Sequence, residues 1–490
     1  MMSKVYTSAS VLLLLAATAT AQQTAQPSPP PTMSQITQSF ITVDAPVVVL
    51  EHVRVIDGTG SVPVDDQSIT IQNGVIQALG PSGSVSAPSG ARVIDLSGRT
   101  VIPGLVGMHD HLFYPAPTGR GRLAADGVFP MYTEMAFSFP RLYLAAGVTT
   151  IRTTGSLEPY ADQEIKSYID SGRTPGPEIY LTAPYLNGSG GFSLQMHSLS
   201  GPEDAIRNVN YWADEGFTSY KAYMQITRSE LGAAIKAAHA RGLKVTGHLC
   251  SVTLREAAEL GIDDLEHGLE TDTEFVHGKD LDTCPRSAQQ SLLDLDVQGE
   301  PLRSLIDFLV QHKVAVTSTL PVFEANAPNR PPLETRFLDV LSLPSRTDYL
   351  IARAHADESG GNSEVIFKKE EAFELAFAKA GGVLLAGLDP TGNGGVVAGF
   401  GDQREVELLV EAGFTPLEAI HIATENGAKF LGNEKIGTLQ VGKQADLVVI
   451  KGDPSRRIDD IENVEMVFKD GKGYDSQKLI DSVRGLVGYR

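Results

Sequence analysis

The 490-residue chain is poor in cysteine, with only two, and has a single tryptophan. Two thiols, Cys250 and Cys284, cannot build a disulfide scaffold. One bridge between them is open in an oxidising compartment. A long basic run is also missing: 40 Lys and Arg face 60 Asp and Glu, a net charge of −20. That balance argues against nucleic acid or an anionic membrane surface as partner. After residue 21 no segment is long and apolar enough to be transmembrane.

What is present begins with a leader. Lys4 gives a positive start, "VLLLLAATATA" at 11–21 a short apolar core, and Ala19-Thr20-Ala21 a small-x-small cleavage site before Gln22. Residues 1–21 read as a secretory signal peptide, too short to span a bilayer, with an uncleaved anchor as the alternative. A disordered linker is expected over 22–40, where "QQTAQPSPPPTMSQ" is polar and proline-rich. The mature protein is expected to be exported and soluble, periplasmic in a Gram-negative host.

Residues 41–102 carry short β-rich runs, with Asn73-Gly74 as a hairpin turn. Over 103–432, eight strand candidates alternate with helical stretches. They are "VIPGLVGMHDH", "GVTTIRTTG", "EIYLTAP", "TSYKAYM", "LKVTGHL", "IDDLEHG", "KVAVTSTLP" and "VLLAGLDPTG". That rhythm implies parallel strands and an α/β (β/α)₈ TIM-like barrel. An open doubly wound sheet is the runner-up, without a GxGxxG to support a dinucleotide version. Residues 433–490 return to β texture, so the two ends are expected to meet in a small composite β-sandwich domain.

Barrel chemistry sits where strands end. Here those ends carry His109 and His111, Lys221, His248, His267 and Asp389. Residues i and i+2 on a strand face the same way, so His109 and His111 can act together while Asp110 points elsewhere. Imidazole and carboxylate suit zinc-like ions. Lysine is out of place beside a cation unless it is neutral and carbamylated. Each motif alone is weak: a lone HxH, "EHG" or "TGH" is more often structural. Their conjunction on successive strand ends carries the weight.

The chain resembles the amidohydrolase superfamily of metal-dependent hydrolases, closest to its imidazolonepropionase-like and prolidase-like group. "VIPGLVGMHDHL", "SYKAY", "VTGHL", "DLEHG", "LAGLDP", "LLVEAGFTPLEAIHIATENGAKFLG" and "GTLQVGKQADLVVIKGDP" carry the resemblance. It implies two divalent ions, zinc by preference. His109, His111 and Asp389 would hold one, His248 and His267 the other, with carbamylated Lys221 as bridge. It also implies hydrolysis of an amide or peptide-like C–N bond, with Asp389 as the catalytic proton carrier. Homo-oligomers are an expectation of the same kind. Gly107, Thr153 and Leu388 depart from residues frequent in the family. Tyr223, His197 and Tyr114 are the candidate contacts for a small-molecule substrate. The stretch 321–365 is a candidate lid or a surface decoration. Lactone or ester hydrolysis is the rival activity, and a non-catalytic binding protein the rival class.

Overall fold

The structure, a computed structural model, describes residues 33–84, 87–115, 132–358 and 361–490. The expected signal peptide, 1–21, and residues 22–32 of the expected linker lie outside the described residues. The linker expectation fails at its far end, because Gln35–Phe40 is a helix. The Ser34 hydroxyl accepts from Thr37 N–H and caps it. Phe40 is buried, with the Arg141 guanidinium 5.3 Å from its ring. One cap and one apolar anchor order this polar stretch.

The two chain ends meet in a nine-stranded sheet. Arg99–Pro103 pairs antiparallel with Leu447–Lys451, and Ile41–Val43 with Lys472–Asp475. Asn73 and Gly74 take positive φ, 51° and 76°, as a tight hairpin requires. The strands form one continuous hydrogen-bonded sheet, not the two sheets of a sandwich. Its core gathers Val48, Leu50 and Ile69 from one end and Leu447, Val449 and Phe468 from the other. The piece expected over 433–490 is not all sheet. Helix Ser476–Asp481 and the tail leave it: Ser476 Oγ donates to Ala145 O, and Val487 N to Val340 O.

All eight expected strands of the middle region form. They are β1 (Leu105–Asp110), β2 (Val148–Thr153), β3 (Glu178–Tyr180), β4 (Ser219–Ala222), β5 (Lys244–Gly247), β6 (Asp264–Glu266), β7 (Ala315–Ser318) and β8 (Leu384–Ala386). The first three make one parallel sheet and the last five another. Backbone bonds link the two sheets. Ala183 N donates to Ser219 O at 2.9 Å, and Leu186 N to Lys221 O at 2.9 Å. At the other flank Asp389 N donates to His109 O at 3.0 Å.

Amphipathic helices cover these strands. In Arg228–His239 a Thr227–Glu230 capping box opens the helix. Leu231, Ala234, Ile235 and Ala238 are its buried stripe. Burying a side chain such as Leu231 or Ile235 stabilises the fold by about 1.5–3 kcal/mol each.

The stretch after β7 is ordered, with helices Leu320–Glu324, Thr335–Val340 and Leu343–Glu358. The chain's tail braces it: Gly485 N donates to Asp339 O, and Ser342 N to Val487 O. His355 lies in the last of these helices. Cys250 and Cys284 are joined by a disulfide that spans 34 residues. A cross-link of that span restricts the unfolded chain by about 3–4 kcal/mol. Cys250→Ser/Cys284→Ser should unfold in urea at a stability lower by that amount, and reduction of the parent should reproduce the shift.

The interior is unusually acidic. Glu370, Glu374, Glu405 and Asp402 are all buried. Burial, and then the neighbouring carboxyl groups, push Glu370, Glu374 and Glu405 well above the usual carboxylate range. Asp402 is pushed up to about 8, by burial. A raised carboxyl pKa gives stability that is present at low pH and lost as pH rises through the folded value. Stability of the metal-free protein should therefore fall from about pH 6.5 to 8. The four histidines with lowered pKa oppose this fall near pH 6.5, where the unfolded imidazoles are half protonated, and cease to act toward pH 8. Glu374→Gln should flatten that fall by on the order of 1 kcal/mol per pH unit in pH-dependent melting curves; an unchanged slope refutes the assignment.

Candidate metal centre

The backbone brings the ligand-type residues together. His109 and His111 leave β1 two residues apart. The His109 carbonyl accepts from Asp389 N–H, which seats the end of β8 beside β1. Glycine at 387 permits this approach, since a Cβ there would lie 2.4 Å from His109 Cβ. Lys221 lies within β4. His248 follows β5, its N–H bonded to Ala222 O at 3.0 Å, and His267 follows β6, its N–H bonded to Thr317 O at 3.0 Å. His267 and Asp389 take left-handed φ, 71° and 51°. That turn breaks strand alternation, so Glu266 and His267 both face inward.

Ligand atoms of His109, His111 and Asp389 lie within 4.8 Å of one another. His109 Nε2 and His111 Nε2 are each 3.6 Å from an Asp389 carboxylate oxygen. His267 Nε2 is 3.8 Å from Asp389 Oδ2, and Lys221 Nζ 3.0 Å from His109 Nε2. The His248 ring lies 4.4 Å from that of His267 and 4.6 Å from that of Tyr223.

Nδ1 of His109, His111 and His267 is occupied elsewhere. His109 Nδ1 donates to Glu266 Oε2 at 2.8 Å, and His111 Nδ1 to Gly155 O at 3.2 Å. The Gly155 carbonyl only accepts, so His111 holds its proton on Nδ1; a carboxylate partner selects the same tautomer at His109, and each ring turns an Nε2 lone pair inward. His267 Nδ1 pairs with Thr319 Oγ1 at 2.7 Å, and its buried Nε2 has no hydrogen-bond partner. Burial first, then the Lys221 charge, holds His109 and His111 well below the usual imidazole range. The same causes act on His248, while for His267 burial is followed by His109. Burial brings Lys221 down to about 8, although Glu266 and Asp389 oppose it. Neutral imidazoles with inward lone pairs and a carboxylate fit a zinc-type cation.

Arg152 lies behind these groups. Its Nη2 donates to Asp264 Oδ2 at 3.0 Å and Glu266 Oε1 at 2.9 Å, and its Nε to Met108 O at 2.7 Å. An unbroken buried chain thus runs from arginine through glutamate to His109. Glu266 and Asp264 were not singled out in the sequence. Their positions two apart on β6 are the signal that could have found them.

Asp110 does not join the group of His109, His111 and Asp389. Its carboxylate lies against Gly107, where a Cβ would meet Asp110 Oδ2 at 1.9 Å. That contact accounts for the glycine.

The candidate substrate contacts divide. Tyr223 is beside the cluster, part-exposed, 4.6 Å from His248 ring to ring. Tyr114 is buried and its hydroxyl donates to Gly394 O at 2.7 Å, which ties down the loop after β8. His197 is held at the surface. It is exposed and paired with Asp204 at 3.1 Å, because its loop turns back onto helix Pro202–Asp214. Phe113 stacks on His111 at 4.3 Å.

Residues 369–473 match the amidohydrolase family. That segment contains Asp389, the helices that follow β8 and most of the C-terminal strands. Dihydroorotases of Trichlorobacter lovleyi and Geobacter metallireducens are each 32% identical over 117 residues. The aligned stretch spans 24% of this chain and 24% of the length of those relatives. Among solved structures, a Xaa-Pro dipeptidase with bound methionine in the active site covers 88% of this chain and all of its own, at 20% identity and TM-score 0.63. Ochratoxinase of A. niger aligns over 88% and 96%, at 16% and 0.62. Bottromycin amidohydrolase aligns over 89% and 88%, at 20% and 0.64. The chain therefore shares the α/β fold of these proteins along most of its length.

Proposed function

We propose that the protein is an exported metal-dependent amidohydrolase that cleaves an amide or peptide-like C–N bond at a two-metal centre. The observation that carries this is the convergence of His109, His111 and Asp389, with His267 Nε2 and Lys221 Nζ alongside. The structural relatives, a Xaa-Pro dipeptidase and bottromycin amidohydrolase among them, point the same way. In this view the two parallel sheets are one closed eight-stranded barrel, and the leader is cleaved after Ala21. His109, His111 and Asp389 would hold one divalent ion, zinc by preference, and His248 and His267 a second. Lys221 would be carbamylated and shared between them. Its lowered pKa favours the neutral amine that takes up carbon dioxide.

When bound, such ions acidify water and polarise a carbonyl oxygen. The chain's own groups do the rest. Asp389 takes a proton from the attacking water and passes it to the leaving nitrogen. Glu266 fixes the His109 tautomer. Tyr223 stands at the mouth, placed to meet a substrate oxygen.

Metal analysis with a panel of dipeptides, N-acyl amino acids and lactones tests the proposal. About two metal ions per chain and turnover of amides are expected. Metal-replete protein that opens lactones but no amide would point to the ester-hydrolysing rival, and protein that binds no metal would point to a binding role.

A further inference from the structure

A wall of aromatic rings stands on one side of the donor cluster. Tyr185, Phe192 and Tyr223 contact one another at 5.0–5.6 Å between centroids. Phe113 and Tyr132 extend the group, at 5.3 Å from each other, with Tyr132 5.5 Å from Phe192. The wall touches the centre at several points, with Lys221 Nζ 5.5 Å from the Tyr185 ring. Phe113 stacks on His111, and Tyr223 packs on His248.

A purely structural core would bury all of these rings. Here Phe113 and Tyr185 are buried, but Tyr132, Phe192 and Tyr223 keep part of their surface exposed. Apolar surface left open beside a reactive centre marks a binding site. Phe192 sits on the glycine-rich loop after β3, not on a strand. That loop is fastened at its base: Asn187 and Ser198 form a bridge, and Leu199 N donates to Asn187 O at 2.8 Å. A ring on a fastened loop is an element that sets specificity without carrying the fold.

The charge behind the wall is muted. Glu134, on the strand that carries Tyr132, and the buried Asp162 lie in each other's field. Burial pushes them up to about 10 and about 7. Carboxyl groups raised in this way give the wall little pull on a cationic group.

We propose that Phe113, Tyr132, Tyr185, Phe192 and Tyr223 form a subsite for an aromatic or bulky apolar group borne by the substrate next to the scissile bond. This rests on the amidohydrolase reading above and narrows its substrate class. A phenyl-sized group seated against Phe192 leaves water on both faces, and the wall offers ring edges for offset or edge-to-face contact.

The test uses two probes, N-acetyl-phenylalanine amide and N-acetyl-glycine amide. Their binding to the metal-free, full-length protein is measured by calorimetry, independently of turnover. The phenyl probe should bind roughly 10- to 100-fold more tightly. Phe192→Ala should cut that ratio at least about fivefold, and Phe192→Leu should keep most of it. Equal affinity for both probes overturns the subsite. So does a Phe192→Ala ratio that matches the parent in protein with unchanged circular dichroism and melting. On the metal-loaded enzyme the same pair is followed by kcat/KM, where the preference should appear chiefly in KM. If the phenyl preference in binding persists while no amide is hydrolysed, the activity proposal fails and the subsite stands.

Discussion

Asp389→Asn should retain much of its metal and lose about 10²- to 10⁴-fold in turnover. The asparagine keeps one oxygen at a position 3.6 Å from His109 Nε2 or His111 Nε2, so a donor survives. The backbone bond from residue 389 N–H to His109 O survives as well, and β8 stays in place. What is lost is the ability to accept a proton from water and release it to the leaving nitrogen. Metal content and kcat are to be measured on the same preparation. Near-normal turnover at full metal occupancy would falsify the role of Asp389. Loss of metal in parallel with activity would reduce it to a ligand.

Arg152→Met should be the most damaging single change to stability. Arg152 is 1% exposed and bonds two carboxylates that are themselves fully buried. Removing the cation leaves Asp264 and Glu266 uncompensated two residues apart, a loss of about 3–5 kcal/mol for such a broken buried pair. Glu266, no longer held by the guanidinium, would hold the His109 ring less firmly, so metal should bind about 10- to 100-fold more weakly. Adding Asp264→Asn removes one of the stranded charges and should restore part of the stability. Denaturant unfolding of the single and double variants, with a metal titration of each, reads both effects. Additive losses in the double variant would show that the three groups do not act as a unit.

The strands were legible because each is a short apolar run between turn signals, a local property. Likewise, His109 and His111 announced themselves by spacing, and the remaining ligand-type residues by recurring at strand ends. Other features were hidden because they depend on pairs far apart in sequence. Glu266 is next to His267, and on a regular strand the two would face opposite ways; the left-handed backbone at 267 turns both inward. Gly107 looked like a missing carboxylate, but the Asp110 side chain lies against it. His197 had the composition and loop of a site residue, and Asp204, seven positions on, claimed it. The helix at 35–40 escaped notice because composition averages over one serine cap and one buried phenylalanine.

By itself the sequence determined which residues are able to bind a metal and which segments become strands, since residue chemistry and side-chain period are written locally. The tertiary structure decided which of those residues meet. It joined Cys250 to Cys284, made one sheet from the two chain ends, and set Arg152 behind Glu266. Convergence from distant strands depends on register and on a few backbone angles, and those are fixed only when the whole core packs.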